Sequence, residues 1–375
     1  MNPSLPGGRT FAASSLATTP LEAVLDVATR LRSLGFRPGK TRGSALCFVS
    51  WPLAREARAL HEALGDLLEG IAFVAFAGSS AFHDQRIPEK RAGLAVAVLE
   101  GVVGEARNSL WQEHGIQMAA PLLADRGHAG ARFVAVGAQR AGPFDLLPAF
   151  DEAGGDVVGC VALRPHKQLQ PGVSTLSLDG LRPIVAISQA ARQLGPTRTV
   201  TAANQSVIRE LDGRPALEML LADLPATLRN SLGRLGGSLF ASIGVDDDDT
   251  VVLRNVTGID PNTGAVAVAE HPRVGTEIAF SLRDQQSARH DLEESLAALE
   301  GALGRIRPRL FVVFSSSSRD AGLFGAPLWD VTRVLSRFGP DVPVVGCTAG
   351  AEVATCGGKT HAFAQTAVIT ALIEP

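Results

Sequence analysis

Two short segments carry the side chains best suited to chemistry. SSSSR (Ser315 to Arg319) and GCTAG (Gly346 to Gly350) each follow an apolar run that reads as a strand. In open α/β sheets ligands sit outside the carboxyl ends of parallel strands, so both segments would face one crevice. Ser315, Ser316, Ser317, Ser318, Cys347 and Thr348 offer hydroxyls and a thiol, while Gly346 and Gly350 let a ligand approach the backbone. Arg319 suits a carboxylate held through two parallel hydrogen bonds, and Glu352 suits an ammonium group. A second reading stays open: Arg319 and Glu352 pair with each other, and the serines only satisfy strand-end amides. GSSAFHD (Gly78 to Asp84) ends another apolar run, and Ser79, Ser80 and His83 would line a second pocket or the other wall of the first. The alternative there is a small-residue turn followed by a surface histidine.

Catalysis by thiol needs a base near the sulfur, and His361 or His83 would serve Cys347 in that role. An internal comparison argues against it. Cys160 follows Gly159 as Cys347 follows Gly346, and Ser79 follows Gly78, so a small residue at equivalent strand ends is a packing feature. An enzyme acting on a small polar substrate, with Cys347, His361 and Glu352 as working groups, is the alternative function. No nucleophile elbow, P-loop or dinucleotide fingerprint occurs. DDDD (Asp246 to Asp249) lacks the spacing of a calcium loop and reads as a charged hairpin turn, and the histidines show no metal-binding pair. No metal or cofactor is expected.

The elements that must position these residues come from a repeat. In the first copy ALCFVS (45–50) is a buried strand, a helix carries Leu60, Leu64, Leu67 and Leu68, and FVAFAGSSAF (73–82) and GLAVAVLEG (93–101) are strands. RFVAVGA (132–138), a short helix at DLLPAF, DVVGCVAL and GVSTLSLDG form the second copy. RLFVVFSSSSRD (309–320), a helix with Leu328, Val331, Leu335 and Phe338, VPVVGCTAG and TAVITALIE form the third. Continuous apolar runs point to parallel strands covered on both faces, with the third strand of each copy antiparallel. GSLFASIGV, TVVLRNVTG, GAVAVAE and GTEIAFS predict a β-meander, and a helix capped by Asp291 follows. Thr19, Pro20 and Glu22 start an N-terminal helix whose apolar face is Leu21, Val24, Leu25, Ala28 and Leu31; the residues before it show no periodicity and read as mobile.

Bulk properties narrow the partners. The chain has 375 residues, 46% hydrophobic and 19% charged, with net charge −3, enough for two or three domains. There is no basic stripe for nucleic acid and no apolar run long enough to insert in a membrane. Four cysteines without zinc spacing, and a start lacking the pattern of a leader peptide, suit a reduced, cytoplasmic protein.

ELDGRPALE (Glu210 to Glu218), within a strand–turn–helix stretch, resembles the junction of FIST-domain proteins, a family named for F-box and intracellular signal transduction. FVAFAGSSAFHD with RAGLAVAVLEG is similar to the family's N-terminal domain; RNVTGIDPNTGAVAVAE, LFVVFSSSSRDAGLFG and VVGCTAGAEV are similar to its C-terminal domain. The family often has Cys within the stretch matching SSSSR and Asn before a Thr near the end, where this chain has Ser and Gln365. The resemblance implies a tail and helix over 1–40, an N-terminal FIST-like domain over 41–210 and a C-terminal one over 211–375. It also implies a sensory module that binds a small molecule, with amino acids as one class. The expected architecture is α/β, two lobes of repeated strand-helix-strand-strand units in mixed, largely parallel sheets, plus the meander. No output domain is visible, so a separate signalling protein is the expected partner.

Overall fold

The computed structural model describes residues 8–84, 92–110, 130–136, 156–162, 172–244 and 251–375. The segments expected to form a helix at DLLPAF and a turn at DDDD, together with Glu89 to Arg91, His114, His128 and His166, lie outside the described residues. The chain divides into two compact units, Met1–Ser188 with Glu294–Pro375, and Gln189–Glu293.

In the first unit, β1 (Thr10–Ser15), α1 (Pro20–Ser33), β2 (Gly43–Ser50), α2 (Trp51–Ala54), α3 (Ala57–Leu67), β3 (Ala72–Gly78), β4 (Ala81–His83) and β5 (Leu94–Glu100) make the first repeat. The second has β6 (Gly104–Leu110), β7 (Ala131–Val136), β8 (Asp156–Val161) and β9 (Gly172–Leu178). The third opens with β10 (Arg182–Ser188), and the second unit is then inserted in the chain. That unit holds β11 (Arg192–Gln193), β12 (Arg198–Asn204), β13 (Val207–Leu211), β14 (Arg214–Pro215), α4 (Ala216–Asp223), α5 (Ala226–Arg229), β15 (Leu239–Gly244), β16 (Val251–Asp260), β17 (Ala265–Val268) and β18 (Glu277–Leu282). After α6 (Gln285–Leu303), the third repeat resumes with β19 (Leu310–Ser316), α7 (Ala321–Phe324), α8 (Trp329–Phe338), β20 (Val344–Ala349), β21 (Ala351–Cys356), β22 (Lys359–Phe363) and β23 (Ala367–Ile373).

The three repeats build their sheets alike. In each, the first strand of the repeated unit pairs parallel with the second: β2 with β3, β7 with β8, β19 with β20. It pairs antiparallel with the last, and the last pairs antiparallel with the leading strand β1, β6 or β10. The chain then links one repeat to another. Beyond β3 it continues as β4, which pairs with β20 of the third repeat. Beyond β20 it continues as β21, which pairs with β8 of the second. Phe48, Phe76, Phe133 and Phe314, drawn from all three repeats and fully buried, meet where the sheets converge. Their ring centroids lie 4.9 Å apart for Phe76–Phe314, 5.1 Å for Phe48–Phe76 and 6.4 Å for Phe76–Phe133.

The expectation of largely parallel sheets is corrected. Among the described residues the parallel pairings are the three just named, and every other pairing is antiparallel. An antiparallel strand covered on both faces shows the same continuous apolar run as a parallel one; β23 is buried at every position yet has antiparallel neighbours on both sides. TFAASS is also not a mobile tail but β1, held by pairing with β5. Helix α1 does start at the Thr19 cap, whose hydroxyl donates to Glu22 at 2.8 Å. It buries Ala23, Val24, Val27, Ala28 and Leu31, and leaves Leu21 and Leu25 exposed. Asp291 is not a cap: α6 starts six residues earlier, and the Asp291 carboxylate accepts from the Ala190 amide at 2.8 Å.

The second unit closes on itself. Strands β15, β16 and β17 form the expected meander, but β17 then pairs with β13, β13 with β12, β12 with β18 and β18 with β15. The result is a six-stranded antiparallel barrel filled by Val200, Ile208, Val266 and Ile278 among others. Closure removes the sheet edges that an open meander leaves exposed.

Gly346 carries the joint between the first and third repeats, because a Cβ there would collide with the Val313 carbonyl and lie against the Phe82 ring. Gly346→Ala should therefore lower stability by about 2–3 kcal/mol through overpacking. Gly65→Ala, in helix α3 with open space around it, should raise stability by about 0.5–1 kcal/mol. Urea unfolding of both variants checks the contrast.

Candidate functional site

The parallel register of β19 and β20 sets Ser315 beside Thr348 and Ser316 beside Ala349, so the two segments do emerge side by side. The turn of the first repeat joins them. β4 lies against β20 with Ala81 opposite Cys347, Phe82 opposite Gly346 and His83 opposite Val345. The Ser79 amide donates to the Thr348 carbonyl at 2.9 Å, the Thr348 amide donates to the Ser80 carbonyl at 3.0 Å, and the Ser79 and Thr348 hydroxyls are 2.6 Å apart. The Thr348 hydroxyl oxygen also accepts from the Ser80 amide at 2.8 Å. Ser79, Ser80 and Thr348 thus form one interlocked corner. Next to it the Ser317 amide donates to the Ala349 carbonyl at 3.3 Å, and the Ser316 and Ser318 hydroxyls are 3.1 Å apart. Ser317 is exposed, Ser79, Ser318 and Gly350 are half-buried, and Ser80, Ser315 and Ser316 are buried.

Arg319 takes a different partner from either one expected. Its guanidinium is fully buried and grips Asp330 with two bonds, Nε to Oδ2 at 2.9 Å and Nη2 to Oδ1 at 2.7 Å. It also donates to Ser188, at 3.2 Å to the carbonyl and 3.0 Å to the hydroxyl, and stacks 5.1 Å from the Phe324 ring. Ser315 donates to the same carboxylate at 2.7 Å. Arg319 therefore ties the β19 turn to α8 and to the end of β10. Asp330 and Ser188 were not singled out from sequence. Asp330 did leave a signal: it lies four residues before Val334 and next to Val331, inside the apolar stripe of α8, where a carboxylate requires a partner.

Glu352 is fully buried, opposite Cys160 on β8 and Phe363 on β22, and its Oε2 accepts from the Thr366 amide at 3.2 Å. His361 sits on β22 opposite Ala354, its ring 6.1 Å from Phe363. His83 Nε2 lies 3.3 Å from Asp84, whose Oδ1 in turn accepts from the Val344 amide at 3.1 Å. His83 is buried rather than at the surface.

Cys347 has no solvent-accessible surface, and its sulfur lies 4.0 Å from that of Cys160. The hydrogen bond it shares with Cys347, burial, and the charges of Cys347 and Glu352 push the Cys160 thiol well up. Burial likewise pushes Cys47 up. Such thiols stay protonated and unreactive, and Cys347 is not placed to attack a substrate. The repeat comparison holds for Gly159–Cys160 and Gly346–Cys347, with each Gly opposite the fourth residue of its parallel neighbour and each Cys opposite the fifth. It fails for Gly78, which stands opposite Ser50 at the strand's end.

Asp330→Ala would leave the Arg319 charge buried without its carboxylate, and should cost about 3–5 kcal/mol in urea unfolding; Ser188→Ala should cost about 1 kcal/mol. Alkylation of the native protein should modify Cys356, the half-buried thiol, and spare Cys47, Cys160 and Cys347 until the chain unfolds. Mass spectrometry of the alkylated protein reads the outcome.

Residues 216–355 match the FIST C domain, a match that points to a sensory domain of signal transduction. It covers Ser315 to Arg319, Gly346 to Gly350 and Glu352. An uncharacterized protein of Mycobacterium bovis is 27% identical over 219 residues, 56% of each chain. An uncharacterized protein of Mycobacterium tuberculosis is 27% identical over 221 residues, again 56% of each. The chain thus spans 56% of the length of these curated relatives. The matched stretch contains the segments around SSSSR and VVGCTAG, which resemble the C-terminal domain of the same family.

Proposed function

We propose that this chain is a sensory component of signal transduction that binds a small polar molecule, such as an amino acid or small carboxylate, where the first and third repeats interlock. The observation that carries this reading is the crossing of residues 79–83 onto β20, which brings Ser79, Ser80 and Thr348 beside the Ser316–Ser318 turn. Hydroxyls and a glycine at Gly350 reach the surface there, above a frame made rigid by Arg319, Asp330 and Ser188. In this reading Arg319 positions the turn from behind, and ligand contact falls to Ser79, Ser316, Ser317, Ser318, Thr348 and Gly350. Residues 41–210 and 211–375 act as the N-terminal and C-terminal FIST-like parts in the cytoplasm. The signal passes to a separate protein when ligand shifts the interlocked corner between arrangements.

Thermal unfolding against a panel of amino acids and small carboxylates tests the reading. A ligand present at a hundred times its Kd should stabilise the native state by about 2.7 kcal/mol. Ser317→Trp, a change at an exposed turn position, should remove that shift and leave the unliganded melting temperature unchanged. A panel with no stabilising member, or a shift that survives Ser317→Trp, sinks the proposal.

A further inference from the structure

The inserted barrel carries its own cavity, apart from the strand-end corner. It measures about 740 Å³ and is lined by Val207, Arg209, Ala267, Gly258, Asp260 and Thr263 among others, a size within the range of about 300–1,000 Å³ typical of small-molecule sites. Strand register explains its shape. Val207 pairs with Ala267, and Ala267 with Gly258, so one row across three strands has a small, apolar floor. In the next row Ala265 pairs with Asp260, and Arg209, two residues beyond Val207 on β13, lines the same cavity. Ile208 and Val266, on the opposite face, are fully buried in the barrel, which sets both rows on its outer side.

The two charged ends of the second row are available in different ways. Arg209 is exposed and makes no hydrogen bond or ion pair among the described residues. Asp260 accepts from the Thr263 hydroxyl at 2.6 Å and from the Asn262 amide at 2.9 Å, which fixes its direction and leaves lone pairs for a further donor. These bonds, the Thr263 hydroxyl foremost, hold its carboxyl below the usual range, so it stays ionised. An exposed guanidinium and a held carboxylate thus border the same trough. Neighbouring strands lie about 4.8 Å apart, so the two residues stand about 10 Å apart along the row. A single α-amino acid, whose two charges sit on one carbon, is shorter than that backbone span. Three extended residues span about 10 Å.

We propose that this trough binds a short peptide with free termini, about three residues long. It lies across β13, β17 and β16, with its carboxylate on Arg209, its ammonium on Asp260 and small apolar side chains over Val207, Ala267 and Gly258. The site is separate from the one proposed above, and neither reading depends on the other.

Calorimetry and saturation-transfer NMR on the full chain test it with trialanine, its C-terminal amide, its N-acetyl form and free alanine. Trialanine should bind saturably, and blocking either terminus should weaken it about tenfold or more, the worth of one charge-assisted hydrogen bond. Arg209→Ala should weaken trialanine by a similar factor but leave the amide's affinity unchanged, and Asp260→Asn should do the same for the N-acetyl form. Ser317→Trp should leave trialanine binding intact. The proposal is overturned by the absence of saturable trialanine binding at millimolar concentration. It is equally overturned if alanine binds as well as trialanine, if the amide loses affinity in Arg209→Ala as trialanine does, or if Ser317→Trp abolishes binding.

Discussion

Four phenylalanines from three repeats meet in one place, and the first unit is arranged around that meeting. Phe48 and Phe76 stack at 15°, Phe314 meets Phe76 edge-on at 4.9 Å, and Phe133 reaches Phe76 from the second repeat. Each ring contributes about 2–3 kcal/mol by leaving water, and the edge-to-face contacts add to that. No repeat can bury its own rings alone. The sheets must therefore converge, and where they converge their second strands run on into one another's edges. The pairing of β4 with β20 and of β21 with β8 follows from that constraint.

The strand ends inherit their chemistry from the same arrangement. A parallel strand ends in amides and carbonyls that need partners. At β20 the partners come from residues 79–81 of the first repeat, which is why Ser79 and Thr348 touch although 269 positions separate them. Behind that corner, the Arg319–Asp330 pair is an expensive way to hold a turn, since burying two charges costs nearly what their attraction returns. What it provides is direction: the planar fork on the carboxylate, with Ser188 and Ser315 completing the bonds, admits one placement of the β19 turn. In the proposed reading, that placement presents the hydroxyls in a fixed pattern.

Much of this was legible before any fold was known. The strands of the three copies, the helices of the first and third, the N-terminal cap at Thr19 and the small turns at strand ends all come from local pattern. So does the grouping of SSSSR with GCTAG, because parallel neighbours must end on the same side. The illegible parts share a cause. Thr10–Ser15 has no periodicity of its own and becomes a strand only through β5. The partner of Arg319 sits 11 residues away on a helix whose rotation no periodicity fixes to one residue. The equivalence of Gly78 with Gly346 failed because sequence aligns residue types, whereas register aligns backbone positions.

The sequence by itself determined an α/β chain with an internal repeat, a β-rich insertion and small, hydroxyl-bearing strand ends, because those features depend on residues near one another along the chain. Tertiary structure alone decided that the sheets are mainly antiparallel, that the insertion closes into a barrel, and that Cys160 and Cys347 face each other 4.0 Å apart in the interior. Each of these is a pairing between distant segments. A buried strand shows the same apolar run whichever direction its neighbour takes, so the direction, the closure and the contact appear only when the neighbour is in place.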